Sequence, residues 1–269
     1  MKSNNSIGYP PLCHRIFSVW YRHMRVYAQH IISNGFPPFL EPLIFLAGIG
    51  LGLGQYITDD IGGRTYLEFL AVGLLVTASM WTASFECTFG TFIRLEFQKV
   101  YDGMLAAPIT ANDLIVGEIF WAGSKGLFFS TAVLTVLYIV SVFGQVIVPL
   151  PNALAAPIIG FVNGMMFATL GLLVTSFVKT INHFNFYMTG LISPMFFFSG
   201  VVFEINRLPE NIRPIAEIVP LTHSVRLMRS ICGDECSLMT SIWDGTYIVL
   251  FTLIVGYFAV KRLKKRLIL

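Results

Sequence analysis

Apolar residues fall in long blocks along this chain, separated by short stretches that carry most of the charge. The blocks run over Phe36–Ile57, Tyr66–Ile93, Leu114–Val148, Ala153–Val178, Phe184–Phe203 and Ile242–Val260. Each supplies the roughly 20 residues that a helix needs to cross the apolar part of a bilayer. Ahead of them, Leu12, Ile16, Val19, Trp20, Val26, Tyr27 and Ile31 recur at helical spacing, with His14, Arg15, Ser18, Arg22, Arg25 and Gln29 on the opposite side. A basic helix with an apolar, aromatic-bearing face is predicted to lie in the membrane interface. The alternative is a solvated helix packed on the rest of the chain.

Two connections carry a pattern of their own. Between the second and third blocks, Phe97, Val100, Tyr101, Met104 and Leu105 fall on one helical face. Pro108 disfavours helix at Ala107 and ends this element. Thr110 and Asp113 then stand in capping-box spacing, so a new helix is expected from about Ala111. The result is a short amphipathic helix joined directly to two spans, with an apolar face that lipid, its own protein or a partner must cover. Between the fifth and sixth blocks, Glu204–Ser241 mixes apolar and charged residues, and Pro209, Pro214 and Pro220 interrupt it. Short helices dipping back into the bilayer fit this pattern, and a surface-lying cap is the alternative. Irregular backbone at membrane depth must be covered by protein or face water.

Composition agrees with a polytopic membrane protein: 55% of residues are hydrophobic, 12% are charged and the mean hydropathy is +0.71. The net charge of +3 matters less than where the cations sit. With six spans, twelve Lys and Arg lie in the amino-terminal segment, the second and fourth connections and the tail, against five in the other connections. That bias puts both termini in the cytoplasm. The amino-terminal segment lacks the pattern of a signal peptide. Four cysteines are too few for a disulfide scaffold. There is no phosphate-cradling GxxxxGK[ST] loop, the five histidines lack metal-ligand spacing, and no catalytic cluster or nucleic-acid-binding pattern stands out.

Several residues carry candidate chemistry. Glu118 and Lys125 lie two helical turns apart with Trp121 between them, and Glu86 lies inside the second block. A charge at mid-bilayer costs roughly 2.5–3.5 kcal/mol, so such residues are expected to face protein or water. Glu118 would pair with Lys125 through water or a neighbouring helix, or else be solvated at the interface. Glu41 and Glu68, nearer span ends, can reach the headgroups. Gly48/Gly52 and Gly50/Gly54 have the GxxxG spacing that lets helices approach closely, within the chain or between two copies. Cys232 and Cys236 would be about 6 Å apart on a helical turn, within disulfide range, so a disulfide and two thiols are both open.

The run SPMFFFSGVVFEINRLPENIRPIAEIVPLTHSVRLMRSI (Ser193–Ile231) resembles the carboxy-terminal signature of type 2 ABC exporter permeases. The run MLAAPITANDLIVGEIFWAGSKG (Met104–Gly126) resembles their matching cytoplasmic stretch. Within that family the chain resembles the nodulation-type lipo-oligosaccharide exporter permeases, with polysaccharide and drug exporter permeases as more distant relatives. The resemblance implies an all-α integral membrane protein of the bacterial inner membrane. It would have an interfacial amphipathic helix over residues 1–33 and a six-span transmembrane domain over 34–269, with a cytoplasmic coupling helix and a re-entrant external hairpin before the last span. It also implies a transport subunit rather than an enzyme, paired with a second copy of itself above two cytoplasmic ATP-binding subunits. ATP and Mg would sit on those subunits and no cofactor or metal on this chain. The substrate would be amphipathic, lipid-linked or glycan-type, and would move outward. Phe97, Val100, Tyr101, Met104, Leu105 and Pro108 then become the ATPase-coupling residues. The first and fifth spans become the pathway, nominating Phe45, Phe196, Phe197 and Phe198, with Pro194 kinking the fifth. A secondary transporter would show inverted repeats and a membrane enzyme a convergent polar cluster. Neither pattern is evident in the sequence.

Overall fold

The computed structural model describes residues 9–52, 65–143, 152–233 and 238–268. Among these residues the chain is all helix and loop. Helix α1 (Leu12–Gln29) precedes α2 (Ile31–Gly48), α3 (Tyr66–Phe97), the short α4 (Val100–Leu105) and the long α5 (Ala111–Phe143). Then come α6 (Ala156–Thr175), the helical run α7 (residues 181–198), the short α8 (Arg213–Ile218), α9 (Pro220–Ile231) and α10 (Leu238–Ile268). Among the described residues, five helical stretches are long and apolar enough to cross a membrane: α2, α3, α5, α6 with its leading turn, and α10.

The fifth expected span differs. Residues 181–198 form a run of 3-10, α, π and α turns that stops at Phe198, and Gly200 follows with φ +85°. Pro194 follows the π turn Met188–Ile192 in backbone that stays helical through Ile192 and Ser193, so its missing N–H falls inside the helical run. The expected basic tail is not a tail either: α10 continues as helix to Ile268. Its Arg266 donates to the carbonyls of Thr175 and Val178, closing the carboxy-terminal end of α6, and pairs with Glu96 at 2.8 Å.

Helices α3 and α6 are the most enclosed and α2 and α10 the least. The core lies where α3, α5 and α6 meet, around Leu75, Met80, Leu114, Met166 and Phe167. Small residues make the α5–α6 approach possible. A Cβ on Gly126 would lie 2.5 Å from the Gly160 carbonyl oxygen, and one on Gly164 3.1 Å from the Ala122 carbonyl oxygen. The glycines singled out in the first span behave otherwise, since a Cβ on Gly48 or Gly52 would meet nothing within 4 Å. Close helix approach therefore belongs to α5 and α6. Gly54 lies outside the described residues, as do the far ends of the first and third expected spans.

Local signals set the element boundaries. Thr65 and Glu68 form a capping box that starts α3, so Glu68 serves as a cap. Asp113 accepts from the backbone N–H and hydroxyl of Thr110 at 2.8 and 2.7 Å, which starts α5 at the expected residue. Prolines open α8 and α9, where a missing N–H costs little. The inward face of α9, including Leu221, Val225 and Met228, packs on α3 and α10.

Candidate functional site

The charged residues nominated within the spans converge at one place, but not in the expected pairs. The lower part of α3 contains two π-helical stretches, Glu86–Gly90 and Ile93–Phe97. Such widened turns re-aim side chains and recur at functional sites. Here they let Arg94 fold back along its own helix to reach Glu86 Oε1 at 2.7 Å. Gly90 lies between them; a Cβ there would sit 3.3 Å from Arg94 Nη1 and 3.5 Å from Glu86 Oε1. Arg94 also reaches Glu118 Oε2 on α5 at 2.8 Å, and Lys125 on α5 reaches Glu86 Oε2 at 2.8 Å. Glu118 is fully buried, so it is not solvated at an interface, and it pairs with Arg94 rather than Lys125. Two carboxylates and two cations thus form a neutral chain across α3 and α5. This satisfies the requirement that charges inside a membrane be paired.

Two further elements plug into this chain. Tyr101, on α4, donates to Glu118 Oε1 at 2.6 Å and accepts from Arg94 Nε at 3.2 Å. Burial pushes its phenol well above the ordinary range, so it stays protonated and remains a donor. His23, on α1, places Nε2 2.9 Å from Glu118 Oε1, off the hydrogen-bond axis, so the contact is one of proximity. Trp121 stacks on the His23 ring at 5.9 Å, and Lys125 lies over the Tyr27 ring at 5.3 Å.

Helix α1 is held to α5 along its length. Arg15 pairs with Asp113 at 2.7 Å, Trp20 Nε1 donates to Ser124 Oγ at 2.8 Å, and Val19 packs where Gly117 leaves room. One face is therefore on the protein, with Ile16, Val19, Trp20 and Tyr27 of the expected apolar set buried or half-buried, and Phe17 and Tyr21 are exposed on the other. Leu12 and Val26, seven residues either side of Val19, are exposed at the ends of the inward face, which Arg15 and His23 join through Asp113 and Glu118. Charge partners on α5 add these two, and helical periodicity alone cannot show them.

The coupling face also needs correction. Phe97 ends the last π stretch of α3, and Lys99, at φ +51°, breaks the chain before α4 begins at Val100. Phe97 is therefore on a different helix from Val100–Leu105, and is 66% exposed. Tyr101 is fully buried in the chain's own core, and Met104 and Leu105 pack partly against it. What remains outward on this segment is Phe97, Gln98, Lys99, Asp102, Gly103, Ala106, Ala107 and Pro108.

Three cavities run from this cluster into the apolar part of the molecule. The first, of about 260 Å³, is lined by Arg22, His23, His30 and Arg94 among others. It shares Glu86 and Gly90 with a second, of about 520 Å³, that includes Lys125. The second shares Glu41, Trp81 and Phe129 with a third, of about 250 Å³, lined by Phe45, Leu74, Phe196 and Phe197. Phe196 meets the edge of Phe45 at 5.9 Å. Phe45, Phe196 and Phe197 are thus brought together in one cavity, and Phe198 lies outside it.

A second polar cluster was not foreseen. Asp244 on α10 is fully buried and accepts from Arg226 at 2.8 Å through both oxygens, with His223 Nδ1 2.7 Å away. His223 Nε2 lies 2.9 Å from the Glu217 carbonyl, and Tyr247 stacks on its ring at 3.8 Å. These contacts lock α8 and α9 to α10. An acidic residue just inside an expected span was the available signal. Cys232 is buried, and Cys236 lies outside the described residues, so the pairing of the two is not part of this geometry.

Residues 14–232 match the family model described as ABC-2 type transporter. The chain belongs to the ABC-2 type transporter family. Nodulation protein J of Rhizobium leguminosarum bv. viciae is 33% identical over 212 residues, covering 79% of this chain and 80% of the relative. Nodulation protein J of Sinorhizobium fredii is 32% identical over 219 residues, with 81% of each chain covered. The inner membrane transport permease YadH of Escherichia coli is 25% identical over 215 residues, covering 77% of this chain and 78% of its own. This ABC-2 chain is accordingly a multi-pass membrane transport permease rather than an enzyme, and its family implies an ATP-binding partner subunit.

Proposed function

We propose that this chain is the membrane half of an ATP-driven exporter. Two copies form the pathway, and two ATP-binding subunits dock on the end that carries α4. The Lys and Arg bias puts that end, and both termini, in the cytoplasm, and α8 and α9 form the re-entrant hairpin on the other side. The substrate is amphipathic, lipid-linked or glycan-type. It enters beside the charged cluster and moves outward along the three joined cavities. No residue of this chain needs to hold ATP or Mg.

The observation that carries this reading is Tyr101. It sits on α4, is fully buried, and bonds both Glu118 and Arg94. Any force on α4 therefore reaches the ion chain that lines the cavities through one short, protonated link. Outward-facing Phe97 and the Ala106–Pro108 turn are the surface a partner would touch. Burying one large apolar side chain stabilises a contact by roughly 1.5–3 kcal/mol. Phe97→Asp should thus lower ATPase copurification about tenfold or more while leaving the permease folded. Leu105→Asp is a poorer probe, because Leu105 packs partly on the core. If copurification and ATP-dependent transport survive Phe97→Asp together with Ala106→Asp, the docking surface lies elsewhere.

A further inference from the structure

Glu41 is set apart from the other acids within the candidate spans. Glu86, Glu96, Glu118, Asp113 and Asp244 each have a cationic partner, and Glu68 serves as a cap. Among the described residues, Glu41 has neither an ion-pair nor a hydrogen-bond partner, although it lies within the apolar stretch Ile31–Gly48. Lys125, which lines the second cavity with it, is paired with Glu86 at 2.8 Å. Glu41 is an exposed residue that lines both the second and third cavities, and it is the sole charged residue lining the third. Phe45, Trp81, Phe129 and Phe196 line the same space. The second cavity holds Glu41, Glu86 and Lys125, one negative charge in excess.

A carboxylate without an ion-pair partner in a cavity lined by aromatic side chains is chemistry that recognises an organic cation. The carboxylate supplies the counter-charge, and the ring faces attract the cation through their quadrupoles. Mostly apolar cavities of about 300–1,000 Å³ with a few polar groups hold small ligands, and the second cavity, of about 520 Å³, falls in that range. We propose that the substrate carries a cationic head, a quaternary or protonated amine joined to an apolar chain. Glu41 is its counter-ion, and the Phe45–Phe196–Phe197 cavity holds the tail. This rests on reading the joined cavities as the substrate path. A neutral sugar head would offer Glu41 hydroxyl donors but no opposite charge.

The test uses the full-length permease in nanodiscs of zwitterionic lipid, without ATPase or ATP. Three dansyl-labelled dodecyl probes share one tail and differ in head: trimethylammonium, its uncharged 3,3-dimethylbutyl isostere, and maltoside. Binding is read after subtraction of empty nanodiscs. The cationic probe should bind roughly tenfold more tightly than either neutral one. Glu41→Gln should erase that preference while leaving the isostere within about twofold of wild type, which also reports that the variant is folded. Equal binding of cation and isostere by the wild type, tighter binding of the maltoside, or an intact preference in Glu41→Gln would each overturn the proposal. If Glu41→Gln loses the isostere too, the wild-type comparison decides alone. Failure of the export reading would appear differently, as cation binding without any ATP-dependent movement once the ATPase is added.

Discussion

Glu118 shows most plainly what single residues contribute. Three groups from three helices approach its carboxylate: Arg94, Tyr101 and His23. Removing one partner of a buried ion pair leaves the other charge uncompensated, which costs about 3–5 kcal/mol. Glu118→Gln keeps the shape but removes the charge that balances Arg94. We expect about 3 kcal/mol of lost stability, read as a lower denaturation midpoint of the purified permease. Lys125→Met should cost less, because Glu86 keeps its bond to Arg94. The sequence marked Glu86, Glu118 and Lys125 as misplaced charges, but it could not assign their partners. Arg94 looked like an ordinary loop cation, because helical spacing describes neighbours on one regular helix. The Glu86–Arg94 contact depends on π turns and on the missing side chain at Gly90.

At the scale of elements, periodicity and capping chemistry located most helices. Thr110 and Asp113 began α5 where expected, and the prolines began α8 and α9. Within the protomer, spacing did not find the close helix approach. GxxxG in the first span drew attention, whereas the close approach is Gly126 and Gly123 against Gly160 and Gly164. Such a crossing depends on which helices meet, and a motif on one strand of sequence does not carry that. Gly126→Ala would force a Cβ against the Gly160 carbonyl and should destabilise by about 1–3 kcal/mol. Gly48→Ala meets open space within the protomer and should be neutral or stabilising by up to about 1 kcal/mol. Thermal unfolding of the two variants side by side gives the comparison. Equal losses would mean that Gly48 is packed against a second copy. The Asp244–Arg226–His223 lock escaped notice for a similar reason, since its members lie on two helices and Asp244 sat close enough to a predicted span end to pass as solvated.

For the whole molecule, class was legible because apolar blocks of bilayer length survive any detail of packing, and family was legible in the runs Met104–Gly126 and Ser193–Ile231. The face of α4 was not legible. Its apolar spacing was read as a surface for a partner, while Tyr101 turns inward and ties α4 to the ion chain. That inversion makes α4 a lever fixed at its inner side, with Phe97 and the Ala106–Pro108 turn free outside. The central claim is that force passes from α4 through the Tyr101 hydroxyl to Glu118 and Arg94. Tyr101→Phe deletes only that hydroxyl. A hydrogen bond to a charged group contributes roughly 1.5–3 kcal/mol. In vesicles carrying the permease and its ATPase, ATP hydrolysis and substrate movement should be measured together. The variant should keep ATPase binding and hydrolysis while substrate moved per ATP falls about tenfold or more. An unchanged ratio of substrate moved to ATP hydrolysed would contradict the account.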